Sequence, residues 1–377
     1  FFDGFRTSHE ISKVKLVDYD KLRDLIDEDA LKDFRNRAMN NEKFNTRGTA
    51  QNDDIYFQNT EVRNKNYQDT IDVVEIYMNE VSKITGCDYK PFNYYGCSDA
   101  TDVIVAMGSV CDTIRETVDY LNSQGLNYGL IEVHLYRPFS LKHLKEVLPQ
   151  SVQKMAVLNR TKEAGSVAEP LYLDVLAALK DENIEIVSGR YGLSSKATTP
   201  GMIKAVYDML DNPKNNFVIG IEDDITNLSL AYTEYKTSNS DEILIYGYGS
   251  DGMISASKML IKLIGDKTEN NVQGYFEYDS KKSGGITVSH LRFNKDKIYS
   301  SYYVRNPKLI VISKDSYLNS FDTISKLENN GTILINTEHE NLDFVNDKVK
   351  QEIINMLLNE EELYQIVREN GEEIEWD

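Results

Sequence analysis

Two short stretches hold the residue types that could do chemistry in this chain. The first, YGYGSDG at 246–252, lies between a short apolar run and an amphipathic one. Gly247 and Gly249 let the backbone turn tightly and approach a ligand. Ser250, Asp251 and Gly252 then lead into a predicted helix, whose N-terminus carries a partial positive charge that suits phosphate. The stretch lacks the full GxGxxG fingerprint and has no Walker lysine, and such turns are also common in α/β folds with nothing bound. The second, YDSKKSGG at 278–285, sets Lys281, Lys282 and Ser283 on a loop closed by Gly284 and Gly285. Lysine is a point-charge partner for phosphate, and the glycines let the loop pass close to it. The competing reading is a solvated hairpin whose lysines decorate an edge strand. Both stretches fall in one predicted α/β unit, and together they suit a ligand with several phosphates.

Other candidates are weaker. Arg160, Lys162 and Glu163 follow a predicted strand, at the end where open α/β sheets bind ligands; a surface loop with an ion pair explains them equally well. Arg190 and Lys196, in GRYGLSSKATTP, stand in a similar place. Asp223 and Asp224 could form a paired-carboxylate site, but they precede a short helical turn, where capping is the better account. The five histidines (His9, His134, His143, His290, His339) show no metal-like spacing. The three cysteines, Cys87, Cys97 and Cys111, include no CxxC, so reduced thiols in a cytoplasmic protein are expected, and neither a metal site nor an iron–sulfur cluster is.

The elements that must position these residues read as α/β. With 377 residues, 41% hydrophobic and 27% charged, the chain is globular and holds more than one domain. A formal net charge of -19 argues against nucleic acid or an anionic membrane as partner, and no stretch approaches the roughly 20 apolar residues of a membrane span. Residues 1–95 read as a polar connector with one helix over 18–38 and another over 69–86. From Thr101 strands alternate with helices of ten or more residues, which predicts a parallel, doubly wound sheet over 96–231. YTEYKTSNSDE at 232–242 reads as an exposed linker. The alternation restarts over 240–377, with a predicted helix over 318–327.

Several long strings resemble, in order, the pyruvate:ferredoxin (flavodoxin) oxidoreductases: FFDGFRTSHE, RGTAQNDDIYFQ, VIVAMGSVCDTIRETVDYL, AVLNRTKEAGSVAEPLYLDV, GRYGLSSK, YGYGSDG and QGYFEYDSKKSGGITVSHLRF. The resemblance implies a segment comprising the exit of the first thiamine-binding domain, a transketolase C-terminal-like domain II and a smaller coenzyme A-associated domain III. It further implies oxidative decarboxylation of pyruvate to acetyl-CoA by the whole enzyme, a homodimer when full length, with thiamine diphosphate, Mg²⁺ and [4Fe-4S] clusters in domains absent here, and with ferredoxin or flavodoxin as acceptor. On this basis the segment supplies coenzyme A binding and assembly with the remaining domains, and is inactive by itself. Gly247, Gly249, Ser250, Asp251, Gly252, Lys258, Lys281, Lys282 and Ser283 would hold coenzyme A. Ser257, Met259 and Leu260 stand where the family usually has polar residues, and Ala164 where it often has proline. The alternative is a non-catalytic nucleotide-binding or scaffold relative that lost the thiamine and iron–sulfur modules.

Overall fold

The computed structural model describes residues 4–42, 44, 50–223, 225–279, 285–339, 341–351, 366–367 and 373–374. An N-terminal arm carries the two-residue strand β1 (Ile11–Ser12). The single helix expected over 18–38 is broken into α1 (Tyr19–Arg23) and α2 (Glu28–Asn36), because Asp18 caps the first and Asp27 starts a second with its own side-chain cap. Helix α3 (Tyr56–Thr85) ends as expected on a left-handed Gly86 but begins thirteen residues before position 69. That extra stretch is exposed and free of Gly and Pro, and the Lys65–Asp69 pair one turn apart supports it.

The first sheet comprises β2 (Phe92–Gly96), β3 (Asp102–Ala106), β4 (Tyr128–Val133), β5 (Lys154–Asn159), β6 (Glu185–Arg190) and β7 (Phe217–Val218), in the order β2-β4-β3-β5-β6-β7. Only β2 runs antiparallel to its neighbour. Helices α4 (Val110–Ser123), α5 (Leu141–Val147), α6 (Pro170–Ala178) and α7 (Pro200–Met209) cover both faces. Alternation along β3 shows how. Ile104 and Ala106 join Ile114, Val118 and Ile203 on one side; Val103 and Val105 join Leu144, Leu171 and Val175 on the other. A strand buried on both faces must read as a continuous apolar run, and this one does.

The second sheet has the order β1-β9-β10-β8-β11-β12, from β8 (Asp241–Tyr248), β9 (Asn271–Tyr278), β10 (Ile286–Asn294), β11 (Leu309–Ile312) and β12 (Thr332–Ile335). The α/β class holds for both sheets. Here, however, only β8, β11 and β12 are parallel, while β9 and β10 form a hairpin and β1 adds to its edge, all antiparallel. A seven-residue connection, 279–285, cannot make a parallel crossover, so the hairpin follows. Helix α8 (Met253–Lys267) covers one face through Ile261, against Ile245, Val272 and Leu291. On the opposite face Leu244 and Tyr246 pack with Ile310, Ile312 and Leu318.

The helix expected over 318–327 shrinks to α9 (Tyr317–Ser320). Asp322 accepts hydrogen bonds from the Ser325 N–H (3.2 Å) and hydroxyl (2.6 Å), a local turn that competes with helix. Backbone strands β13 (Ile366–Val367) and β14 (Glu373–Ile374) pair with each other. Among the described residues no helix is long and apolar enough to cross a membrane.

Residues 232–240 form no regular element, yet they are not a loose linker. The Tyr235 hydroxyl donates to the Pro200 carbonyl (3.2 Å), Lys236 pairs with Glu328 (2.8 Å), and Thr237 donates to Glu116. Three of its polar side chains bond to other parts of the chain, which composition alone does not reveal.

Candidate functional site

Strand β8 ends at the glycine turn, and helix α8 starts from it. Gly247 has no room for a side chain: a Cβ there would lie 2.6 Å from Thr287 Oγ1 and 2.9 Å from Met253 Cβ. Gly252 caps α8 at φ +87, and exposed Ser250 holds φ +80, a conformation that costs a non-glycine residue free energy and recurs at ligand sites. Gly249 donates its N–H to the Gly285 carbonyl at 2.9 Å. That bond seats the base of the 279–285 loop on the turn, in register with Ile286 opposite Tyr248 and Thr287 opposite Gly247. The two stretches singled out in the sequence therefore meet. Lys281, Lys282 and Ser283 themselves lie outside the described residues.

Asp251 has a particular place. Its carboxylate accepts from the Tyr248 N–H (2.6 Å), the Met253 N–H (2.8 Å) and the Ser313 hydroxyl (2.8 Å). A carboxylate already stands at the mouth of α8, where a bound anion would otherwise profit from the helix dipole. Lys258 lies on α8 with its Nζ 5.3 Å from the centre of the Phe276 ring. Of the departures from the family pattern, Ser257 is buried and bonds to the Met253 carbonyl, Leu260 packs on the sheet, and Met259 is exposed.

Beside the turn, Tyr248, Asp251, Met253, Ser313, Lys314 and Asn336 line a groove of ≈ 500 Å³. It opens where β8, β11 and β12 end, the position at which such sheets leave a crevice for ligands. Ser313, Lys314 and Asn336 escaped the sequence reading. The signal was present, since Ser313 and Lys314 close the predicted strand KLIVISK and Asn336 lies near the end of the predicted strand GTILINTE.

The remaining candidates resolve into structural roles. Glu169, almost wholly buried, pairs with Arg190 (3.4 Å) and Lys162 (3.9 Å), while the Arg160 guanidinium sits 4.8 Å over the Phe5 ring. Asp223 accepts from the Thr226 hydroxyl and from the N–H groups of Thr226 and Ile225; these bonds pull its pKa down to about 2 and close a local turn, with no helix directly following it among the described residues. Asp224 lies outside the described residues.

A buried polar network ties the hairpin to the rest of the chain. Arg292 on β10 pairs with Glu242 on β8 at 2.6 Å and donates to Gln273 Oε1 (2.9 Å) and the Tyr302 carbonyl (2.6 Å). Burial would push the Glu242 carboxyl up, but the Arg292 charge and the Asn306 and Arg305 N–H groups outweigh it and hold it below its ordinary value. Glu116 on α4 accepts from the hydroxyls of Tyr302 (2.6 Å), Ser300 (2.6 Å) and Thr237. From the arm, Glu10 accepts from Gln273 (3.2 Å) and from Tyr275.

Comparison with known families covers most of the chain. Residues 1–79 match the family model "Pyruvate flavodoxin/ferredoxin oxidoreductase, thiamine diP-bdg". Residues 100–203 match "Pyruvate:ferredoxin oxidoreductase core domain II", and 242–373 match "Pyruvate ferredoxin/flavodoxin oxidoreductase". A pyruvate-flavodoxin oxidoreductase of Enterobacter agglomerans is 49% identical over 344 residues, covering 89% of this chain and 29% of the relative. A pyruvate:ferredoxin oxidoreductase of Moorella thermoacetica is 48% identical with the same coverage. A probable pyruvate-flavodoxin oxidoreductase of Escherichia coli is 45% identical over 365 residues, or 94% of this chain and 31% of the relative. The chain thus spans under a third of the length of each.

Proposed function

Because this chain belongs to the pyruvate:ferredoxin/flavodoxin oxidoreductase family, as a segment of the full-length proteins, we propose that it supplies their coenzyme A-binding unit and the contacts that assemble it with the remaining domains. Residues 96–231 then form domain II and 240–377 domain III. The whole enzyme, as a homodimer in the cytoplasm, would oxidatively decarboxylate pyruvate, releasing CO₂, joining the acetyl group to coenzyme A and passing two electrons to ferredoxin or flavodoxin.

The observation that supports this reading is the Gly249–Gly285 hydrogen bond, which joins the glycine turn to the residue just ahead of β10, directly after the lysine-bearing stretch in sequence. Coenzyme A has a pyrophosphate and a 3′-phosphate, and Lys281 and Lys282 would pair with them at the lip of that turn. The cysteines present do not suit the family's iron–sulfur clusters. A four-iron cluster takes four thiolates, and this chain has three, Cys87 exposed, Cys97 half-buried and Cys111 buried. What this segment's own residues do is bind and orient the acyl acceptor.

Calorimetry with coenzyme A and 3′-dephospho-coenzyme A, on the unsubstituted chain and on Lys281→Ala and Lys282→Ala, tests the proposal. Losing a charge-assisted phosphate contact costs about 1.5–3 kcal/mol, roughly tenfold or more in affinity. At least one substitution is expected to abolish the difference between the two ligands. Equal binding by both variants and the unsubstituted chain would leave the lysines as a solvated hairpin tip.

A further inference from the structure

The groove on the flank of β8 away from the hairpin has a chemistry of its own. Strand β8 feeds α8 and then β9 and β10 on one side, while β11 pairs on its other side, so the groove sits at the point where the strand order reverses. Its ≈ 500 Å³ suits a nucleotide fragment.

Charge decides what it can take. The first N–H groups of α8 would draw a phosphate, but the Asp251 carboxylate already accepts from the foremost of them, that of Met253, and would repel one. An anion must therefore sit to the side. Among the described residues Lys314 is the only cation that lines the groove, and it has no carboxylate partner there; its Nζ rests 4.7 Å from the centre of the Tyr248 ring. Two hydroxyls beside the turn are buried and unpartnered among the described residues. Tyr317 Oη lies on the α9 side, near Tyr248 and Asp251, and Thr287 Oγ1 lies against Gly247 on the β10 side. Buried polar atoms without partners are uncommon and call for an explanation.

We infer that this groove receives the nucleotide end of the ligand, with Lys314 pairing to one of its phosphates and the Tyr248 ring supporting its base. This rests on the coenzyme A reading above. Binding would exchange the Lys314–Tyr248 cation–π contact, weak at an exposed site, for a charge-assisted hydrogen bond, and would free the ring face for stacking.

The test is calorimetry on the whole 377-residue chain with coenzyme A, adenosine 3′,5′-bisphosphate and pantetheine, comparing Lys314→Ala and Lys314→Arg with the unsubstituted chain. Lys314 is exposed, so both variants are expected to keep the circular dichroism of the unsubstituted chain. Lys314→Ala should weaken coenzyme A and the bisphosphate by about tenfold and leave pantetheine unchanged, and Lys314→Arg should restore most of the loss. If Lys314→Ala binds coenzyme A as the unsubstituted chain does, the inference fails while the coenzyme A reading stands. If no form of the chain binds coenzyme A or the bisphosphate, both fail together.

Discussion

Replacing Arg292 by Met is expected to be the most damaging single change among those that leave the candidate site's own residues intact. The guanidinium is 1% exposed and Glu242 6% exposed. Removing it strands a buried carboxylate, the Gln273 side-chain oxygen and the Tyr302 carbonyl at once. Breaking a buried pair by deleting one partner costs roughly 3–5 kcal/mol, against which a methionine of similar reach recovers only apolar packing. Glu242→Gln keeps the shape and an acceptor oxygen but leaves the guanidinium uncompensated, so a cost toward the lower end of that range is expected. Glu242→Leu combined with Arg292→Met should destabilise by clearly less than the sum of the single changes, because neither charge is then left alone.

Urea unfolding followed by far-ultraviolet circular dichroism at neutral pH would measure these costs. The pH dependence supplies a second readout. Glu242 has a lower pKa folded than unfolded. Its contribution is therefore full above the unfolded carboxyl value and is lost as pH falls through the folded one. Acid should destabilise the unsubstituted chain more steeply than Glu242→Gln over that window. A cost below about 1 kcal/mol for Arg292→Met, or identical acid slopes for the two proteins, would refute the claim that this pair holds the hairpin in place.

Two further outcomes are expected. Gly247→Ala brings a methyl to 2.6 Å from Thr287 Oγ1 and 2.9 Å from Met253 Cβ; an overpacking cost of about 1–3 kcal/mol should appear as a lowered melting temperature, together with weaker coenzyme A binding, and an unchanged melting temperature would mean that the turn is looser than its contacts imply. Brief proteolysis should spare 232–240, whose side chains bond to Pro200, Glu116 and Glu328, and cut exposed segments such as those around α1 and α2 first; mass spectrometry showing initial cleavage within 232–240 would overturn the view that this segment is fastened.

Local signals in the sequence carried most of the first sheet. Val103–Ala106 is apolar throughout because both faces of β3 are covered, and α5 and α7 start where Ser140 and Thr199 accept hydrogen bonds from the N–H groups of His143 and Met202. The elements that escaped depend on distant partners or on single side chains. Strand β1 is two residues long and exists because it pairs with Gln273 and Gly274, some 260 positions away. Nothing in the run LNSFDTISKL shows that the Asp322 carboxylate will fold back on Ser325. At the candidate site, the glycine spacing showed that a tight turn was needed. It could not show that Asp251 would turn its carboxylate inward to the N–H groups of Tyr248 and Met253, or that Lys314 would arrive beside Tyr248 from another strand.

The two sheets differ in a way that bears on which of them can hold a ligand. In each, a parallel strand runs into a glycine-bearing turn and a helix, and each has a point where strand order reverses. In the first sheet that point lies between β3 and β5, and protein fills it. The Ser301 hydroxyl donates to the Ser109 carbonyl at 3.0 Å, which leaves the Thr113 hydroxyl as the donor in the buried 2.7 Å bond between Thr113 and Ser301. Phe5 lies 6% exposed beneath Arg160 at the end of β5. Seating a ligand there would require breaking those bonds and exposing an aromatic ring, both unfavourable. In the second sheet the corresponding point is the open groove beside Tyr248. The same loop that closes the first crevice, 300–302, also receives Arg292 and donates to Glu116, so the contact that shuts one sheet orients the hairpin beside the other. A net charge of -19 sets the long-range field of this chain against an anionic ligand, so selectivity at that groove must rest on short-range contacts such as the one Lys314 offers.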